Sequence, residues 1–254
     1  ATDADGDSIS FTWEWSASGS GVSETSDTLE GSTHFDKGDT IQVIATPNDG
    51  DDSGEPFSSD TLTVVSAPPE LVSGSLSPSV VYTNDTITSA VSTTDDDGDS
   101  VTVSYQWRVD GSLISPATST LDGTTWFDKH QEVSLDVLLT DSTGETATET
   151  VGSVTIFNTA PGAPSISLEP EEPRDGTDDL VCVIGSSASD DDDDAISYQF
   201  SWSVDGVAWT GSTDSSVWSG DTIPGSETQS GEIWSCTATT DDGEETGDSD
   251  SVSV

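Results

Sequence analysis

Apolar residues fall on alternate positions along three stretches of this chain. Ile9, Phe11, Trp13 and Trp15 make the first row, Val101, Val103, Tyr105, Trp107 and Val109 the second, and Ile196, Tyr198, Phe200, Trp202 and Val204 the third. A period of two puts every other side chain on one face of an extended backbone, so each row predicts a strand with one face buried. Ile41, Val43 and Ala45 form a further row, as do Val133, Leu135, Val137 and Leu139; Leu62 with Val64 and Val154 with Ile156 end their stretches in the same way. Val80 to Tyr82 and Ile87 to Val91 predict the opening strands of the middle stretch, and Leu180, Cys182 and Ile184 one of the last. All are of strand length and rich in Thr and Val, and none has a helical period, so the predicted class is all-β.

The three tryptophan rows are copies of one another. Setting Trp107 on Trp202, an offset of 95, brings Asp95, Asp97 and Asp99 over Asp190, Asp192 and Asp194; setting it on Trp15, an offset of 92, brings them over Asp3, Asp5 and Asp7. The text TLEGSTHFDK around Leu29 returns as TLDGTTWFDK around Leu121. Repetition of whole units makes the 254 residues a tandem array. The predicted domains are 1–66, which starts at its acidic loop without its first two strands, then 67–159 and 160–254. The linkers APPE from Ala67 and NTAPGAP from Asn158 are stiffened by proline, which predicts a rod of domains.

Seven short strands with a Trp on the third resemble an immunoglobulin-like β-sandwich. In that fold the second and sixth strands lie in opposite sheets, and a disulfide between them packs on the Trp. Cys182 lies on the strand before the acidic loop and Cys236 on the row that aligns with Val43 and Val137; in the middle repeat the two positions read as Ile87 and Val137. The resemblance implies that Cys182 and Cys236 are bridged, adding about 4 kcal/mol and requiring an oxidising compartment. Two buried free thiols are the alternative.

Fifty acids against four bases, Lys37, Lys129, Arg108 and Arg174, give a formal net charge of −46. Nucleic acid and anionic membrane, which are bound through Lys and Arg, are excluded as partners. Carboxylates at alternate positions of a turn can converge on calcium, with Gly allowing the bend, so the candidate metal ligands are Asp3, Asp5, Asp7, Asp95, Asp97, Asp99, Asp190, Asp192 and Asp194. Gly6 and Gly98 supply the bend in two loops, whereas Asp193 stands in that place in the third and makes it the weakest case. Asp49, Asp51, Asp241 and Asn158 are further possible ligands. The competing readings are a solvated acidic loop and a surface adapted to high salt.

The string D-x-D-G-D, an alternating strand ending in Trp, a D-G turn, FDK, a later N-D-G or D-D-G turn and an N-T-A-P linker resembles the tandem immunoglobulin-like and cadherin-like repeats of large bacterial surface proteins and adhesins. The resemblance implies a structural, calcium-stabilised stalk or filament at a cell surface or outside it. It would associate with itself or with neighbouring repeats. The missing opening strands of the first domain leave two readings: a strand from another subunit completes its open edge, or the numbering starts inside a longer polypeptide. The alternative is an adhesin module binding a glycan or another surface protein, with Trp126, Trp209 and Trp218 as stacking platforms. Enzyme chemistry is not expected: His34 and His130 lack a nucleophile partner, and phosphate-loop, HExxH and CxxC motifs are absent. No stretch is apolar enough to span a membrane, and no signal peptide opens the chain. Asn84-Asp85-Thr86 is a formal glycosylation sequon.

Overall fold

The computed structural model describes residues 1–4 and 6–254. Its regular structure is almost wholly strand, and every sheet draws its strands from a single repeat. By contacts the chain divides into two compact units. One comprises Ala1–Gly74, Val91–Tyr105 and Asp136–Thr150; the other comprises Ser75–Ala90, Gln106–Leu135 and Val151–Val254. The middle repeat therefore contributes to both.

In the first unit the tryptophan row forms the strand Ser10–Ala17, paired antiparallel along its length with Thr40–Asn48 so that Trp15 is opposite Val43 and Trp13 opposite Ala45. Ser20–Gly21, Phe57–Ser58 and Leu62–Thr63 complete one five-stranded sheet. The described residues of the first repeat supply no second sheet. Phe11 stays 45% exposed and Leu62 69%, and Trp15 is only half-buried.

The third repeat, inside the second unit, has both layers. Ser165–Glu169, Leu180–Ser186 and Thr222–Ile223 form one sheet, and Ser197–Val204, Val207–Ala208, Trp234–Asp241 and Thr246–Ser253 the other. Leu168, Leu180, Cys182, Trp202, Ile223, Trp234 and Cys236 are buried between them. Cys182 and Cys236 are joined by a disulfide spanning 54 residues, which links the two sheets. Constraining that length of unfolded chain stabilises the fold by about 4 kcal/mol. Trp202 is opposite Cys236 in the same register that sets Trp15 opposite Val43.

The middle repeat also has two sheets. The first holds Thr120–Asp122, Thr86–Thr94 and Glu70–Ser77 in that order. The second holds Ser112–Leu113, Thr102–Val109, Glu132–Thr140, Thr146–Phe157 and Val81–Tyr82. The middle and third repeats are immunoglobulin-like β-sandwiches, and the chain is all-β.

Two expectations change. The opening strand of the middle repeat is Glu70–Ser77, whose Gly and Ser residues break the alternation; Val81–Tyr82 instead joins the other sheet, parallel to Ile156 and Phe157. The counterpart of Cys182 is Ser89, not Ile87. Ser89 donates its N–H to the Ser119 carbonyl and Cys182 to that of Asp221, both at 2.8 Å, while Ile87 and Leu180 pair with Leu121 and Ile223.

Each tryptophan row is fastened in one way. The indole N–H of Trp15, Trp107 and Trp202 donates at 2.9 Å to the carbonyl of Ser26, Thr118 and Gly220 respectively. A buried indole needs such a partner. The repeated TLDG text then turns the chain: a one-turn helix, Gly123–Trp126, follows the Thr120–Asp122 strand, and a Cβ on Gly123 would lie 2.6 Å from the Phe127 ring and 2.7 Å from the Asp85 carbonyl. Glycine at that point lets Phe127 reach the interior, and Lys129 follows two residues on.

Next to Gly220, the carboxylate of Asp221 is 1% exposed and accepts from the N–H groups of Ser216, Val217 and Trp218 and the hydroxyls of Ser216 and Thr222, at 2.7 to 2.9 Å. Burial would raise its pKa, but those donors, the Trp218 N–H foremost, outweigh it and hold the group well below the ordinary aspartate value. A lowered folded pKa stabilises at pH above the unfolded value near 4 and ceases to do so as pH falls. Asp221→Asn is expected to cost about 2 to 3 kcal/mol in urea unfolding at neutral pH, and the loss should shrink below pH 4. An equal loss at all pH values would contradict this assignment.

Candidate metal centres at the repeat joints

Each acidic loop is ordered by its own first carboxylate. Asp3 Oδ1 accepts from the N–H groups of Gly6 and Asp7 at 2.8 and 3.1 Å, and Asp95 Oδ1 from those of Asp97 and Asp99 at 2.9 and 3.1 Å. Asp190 Oδ1 accepts from Asp192 at 2.8 Å and, more weakly, from Asp194 at 3.5 Å. Such turns arise where Asp can bond its own backbone two residues on. Asp5 lies outside the described residues.

The bend itself needs a left-handed residue. Gly6 and Gly98 have φ of +89° and +77°, and Asp193 takes the same place with φ +59°. The loop without glycine thus turns like the others, because Asp is among the few side chains tolerated there, at a cost of roughly 1 kcal/mol.

In the loops at Asp95 and Asp190 the other two carboxylates reach back to the linker and the preceding repeat. Asp97 Oδ2 accepts from the Ala67 N–H at 2.7 Å and the Ser66 hydroxyl at 3.2 Å, and Asp192 Oδ2 from the Thr159 N–H at 2.6 Å. The third carboxylate takes a lysine from the repeated FDK text: Lys37 pairs with Asp99, and Lys129 with Asp194. Lys129 also donates to Asn158 Oδ1 at 2.8 Å and Glu244 Oε1 at 2.6 Å. Its bonds to Asp194 and then Glu244 push its pKa well up, and Lys37 likewise draws that of Asp99 down. Loop, linker and lysine meet at one joint in each unit.

A later turn of the same repeat closes each joint. Asp141 is buried, accepts through Oδ1 from the N–H groups of Thr143, Gly144 and Glu145, and faces the Ser66 hydroxyl through Oδ2 at 3.4 Å. Its neighbour Ser142 donates to Asp99 at 3.0 Å. At the second joint Asn158 donates to Asp242 at 2.8 Å, and His130 lies 2.9 Å from Glu244. The Asn158 amide, ahead of the Glu245 and Glu244 N–H groups, brings the Asp242 pKa down to about 2.

Asp141, Asp242 and Glu244 were not singled out from sequence. Comparing TDSTGE at Thr140 with TDDGEE at Thr240 is the signal that would have found them. Of the residues that were, Asn158 is in the joint as a partner of Lys129, whereas Asp49 accepts from the Asp51 and Asp52 N–H groups and Asp241 from that of Gly243, each within its own turn.

What the hydrogen bonds leave over is the informative part. One oxygen from each of Asp95, Asp97 and Asp99 lies within 4.8 Å of the others, and the same holds for Asp190, Asp192 and Asp194. Among the described residues, Asp95 Oδ2, Asp190 Oδ2 and Asp192 Oδ1 are buried with no donor, as is the Thr159 hydroxyl. Two carboxylates at that separation repel by about 3 kcal/mol at an effective dielectric near 20. An all-oxygen donor set suits a hard cation such as calcium. The residues present fit that ion.

No protein-family model matches the chain, and no curated protein does. Solved structures similar to it include the three N-terminal domains of the highly immunogenic outer capsid protein of bacteriophage RB49, at 13% identity and TM-score 0.31, covering all of this chain and 88% of that one. A 1.5-MDa bacterial ice-binding adhesin gives 17% identity and TM-score 0.31 over 98% and 85% of the two chains. A calcium-stabilised ice-binding adhesin of an Antarctic bacterium gives 16% and 0.28 over 98% and 65%. The fold stands on the sheets and the disulfide described above.

The candidate stacking platforms are differently placed. Trp209 packs edge-on against Trp234 with centroids 4.9 Å apart and donates to the Ser212 carbonyl at 3.2 Å, while Trp218 is 37% exposed beside Tyr198. Asn84 is exposed in a turn with φ +74°.

Because Asp193 holds a backbone conformation that glycine adopts freely, Asp193→Gly is expected to raise stability by up to about 1 kcal/mol in denaturant unfolding. A clear loss would show that the Asp193 side chain itself supports the loop.

Proposed function

We propose that this is a structural protein of the cell surface or extracellular space whose immunoglobulin-like repeats are fastened to one another by calcium at the acidic joints. The observation that carries this reading is the set of buried, donorless oxygens at Asp95, Asp190 and Asp192, turned into joints where loop and linker already meet. Asp95, Asp97 and Asp99 would hold one ion and Asp190, Asp192 and Asp194 another; Asp3, Asp5 and Asp7 would serve a joint with a preceding repeat. The ion supplies positive charge and coordination that lock the loop to the linker. The chain's own residues do the positioning: the first Asp orders the loop, the middle one grips the linker amide, and the later turn closes the far side.

The disulfide supports an oxidising compartment. No described helix is long and apolar enough to cross a membrane. Further repeats, or further copies of the chain in a fibre, would add joints of the same composition.

Melting in chelator and in calcium tests the reading. At ten times its dissociation constant, calcium should add about 1.4 kcal/mol per site, with sodium at matched ionic strength adding far less. Equal responses to the two salts would reduce the acidity to general screening.

A further inference from the structure

We propose that Lys37 and Lys129 are the resident cations of their joints, and that each competes with calcium for the third aspartate of the loop it meets. This deepens the calcium reading above and rests on it.

The chain has four Lys and Arg residues against fifty acids. Two of those four stand on equivalent carboxylates, Lys37 on Asp99 and Lys129 on Asp194. Both come from the same place in a repeated text, FDK, and both reach from one repeat into the acidic loop of the next. With so few positive charges available, a random distribution would rarely set two of them on matching sites.

The ammonium of Lys129 has three N–H groups, and Asp194, Glu244 and Asn158 take all three. The Lys129 side chain is 16% exposed and its bonds to Asp194 and Asn158 are partly buried, whereas the bond to Glu244 lies at the surface. Without calcium, the lysine supplies the joint's positive charge and occupies an oxygen of the third carboxylate. Among the described residues of the joints, the buried carboxylate oxygens left without a donor belong to the first and middle aspartates, Asp95, Asp190 and Asp192.

A calcium ion drawn in by those oxygens would meet the lysine charge close by. A divalent and a monovalent cation about 5 Å apart repel, even in bulk water, by enough to weaken binding more than tenfold. Full coordination therefore requires the lysine to leave the third aspartate, and the lysine sets the calcium level at which the joint fills.

The test uses the whole 254-residue chain, as wild type, Lys129→Met and Lys129→Arg, with calcium titrated calorimetrically and thermal unfolding followed in chelator. Lys129→Met should melt lower than wild type in chelator and bind calcium at one site at least tenfold more tightly, whereas Lys129→Arg should leave both near wild type. Lys37→Met should repeat the pattern at the other joint, which guards against a local folding defect in either variant. Wild-type calcium binding with unchanged or weaker affinity in both Met variants would overturn the competition and leave the calcium reading standing. If neither wild type nor variants bind calcium beyond the sodium control, the calcium reading itself fails and takes the competition with it.

Discussion

Carboxylates gathered where two repeats meet must be neutralised, and the joints of this chain are built around that requirement. Three aspartate oxygens within 4.8 Å of one another cannot be packed under neighbouring chain without donors or cations. The loops divide the work. One carboxylate bonds its own backbone, a second takes a linker amide, and a third takes a lysine. The same division recurs at Asp190, Asp192 and Asp194 with different neighbours. Among the described residues of these joints, Asp95 Oδ2, Asp190 Oδ2, Asp192 Oδ1 and the Thr159 hydroxyl stay buried without a partner.

The sandwiches hold these loops at fixed places. Every acidic loop runs straight into a strand whose Trp is anchored through its indole N–H, so the position of the carboxylates follows from the register of a core strand. The third repeat carries the disulfide, and its first sheet is the leaner one: strands of five, seven and two residues against eight, nine and three in the middle repeat. A crosslink between its layers offsets the shorter pairing, while Ser89 suffices at the matching place in the middle repeat.

Much of this was legible in the sequence because it depends on local period and repetition. The alternating rows at Trp15, Trp107 and Trp202 became strands, and the acidic trios fall at equivalent places in their repeats. What was hidden depends on long-range meetings. Nothing in FDK says that its lysine will meet an aspartate 62 or 65 residues on. Asp141 and Glu244 carry no local signal of the Ser66 hydroxyl and the Lys129 ammonium that they meet. Glu70–Ser77 escaped because Gly and Ser interrupt its apolar positions, and Asp193 suggested a weak loop because the pattern reads glycine where only a left-handed backbone is required. Ser89 was displaced from the Cys182 position by Ile87, which has the more core-like side chain but sits two residues early.

The central claim, that these loops bind a cation jointly with the linker beside them, is tested most directly by anomalous diffraction from crystals grown with calcium. The account predicts a peak at each joint about 2.3 to 2.6 Å from the carboxylate oxygens, coordinated by Asp190 Oδ2 and Asp192 Oδ1 at one and by Asp95 Oδ2 at the other. Peaks confined to solvent-exposed acids, with both joints empty at saturating calcium, would contradict it.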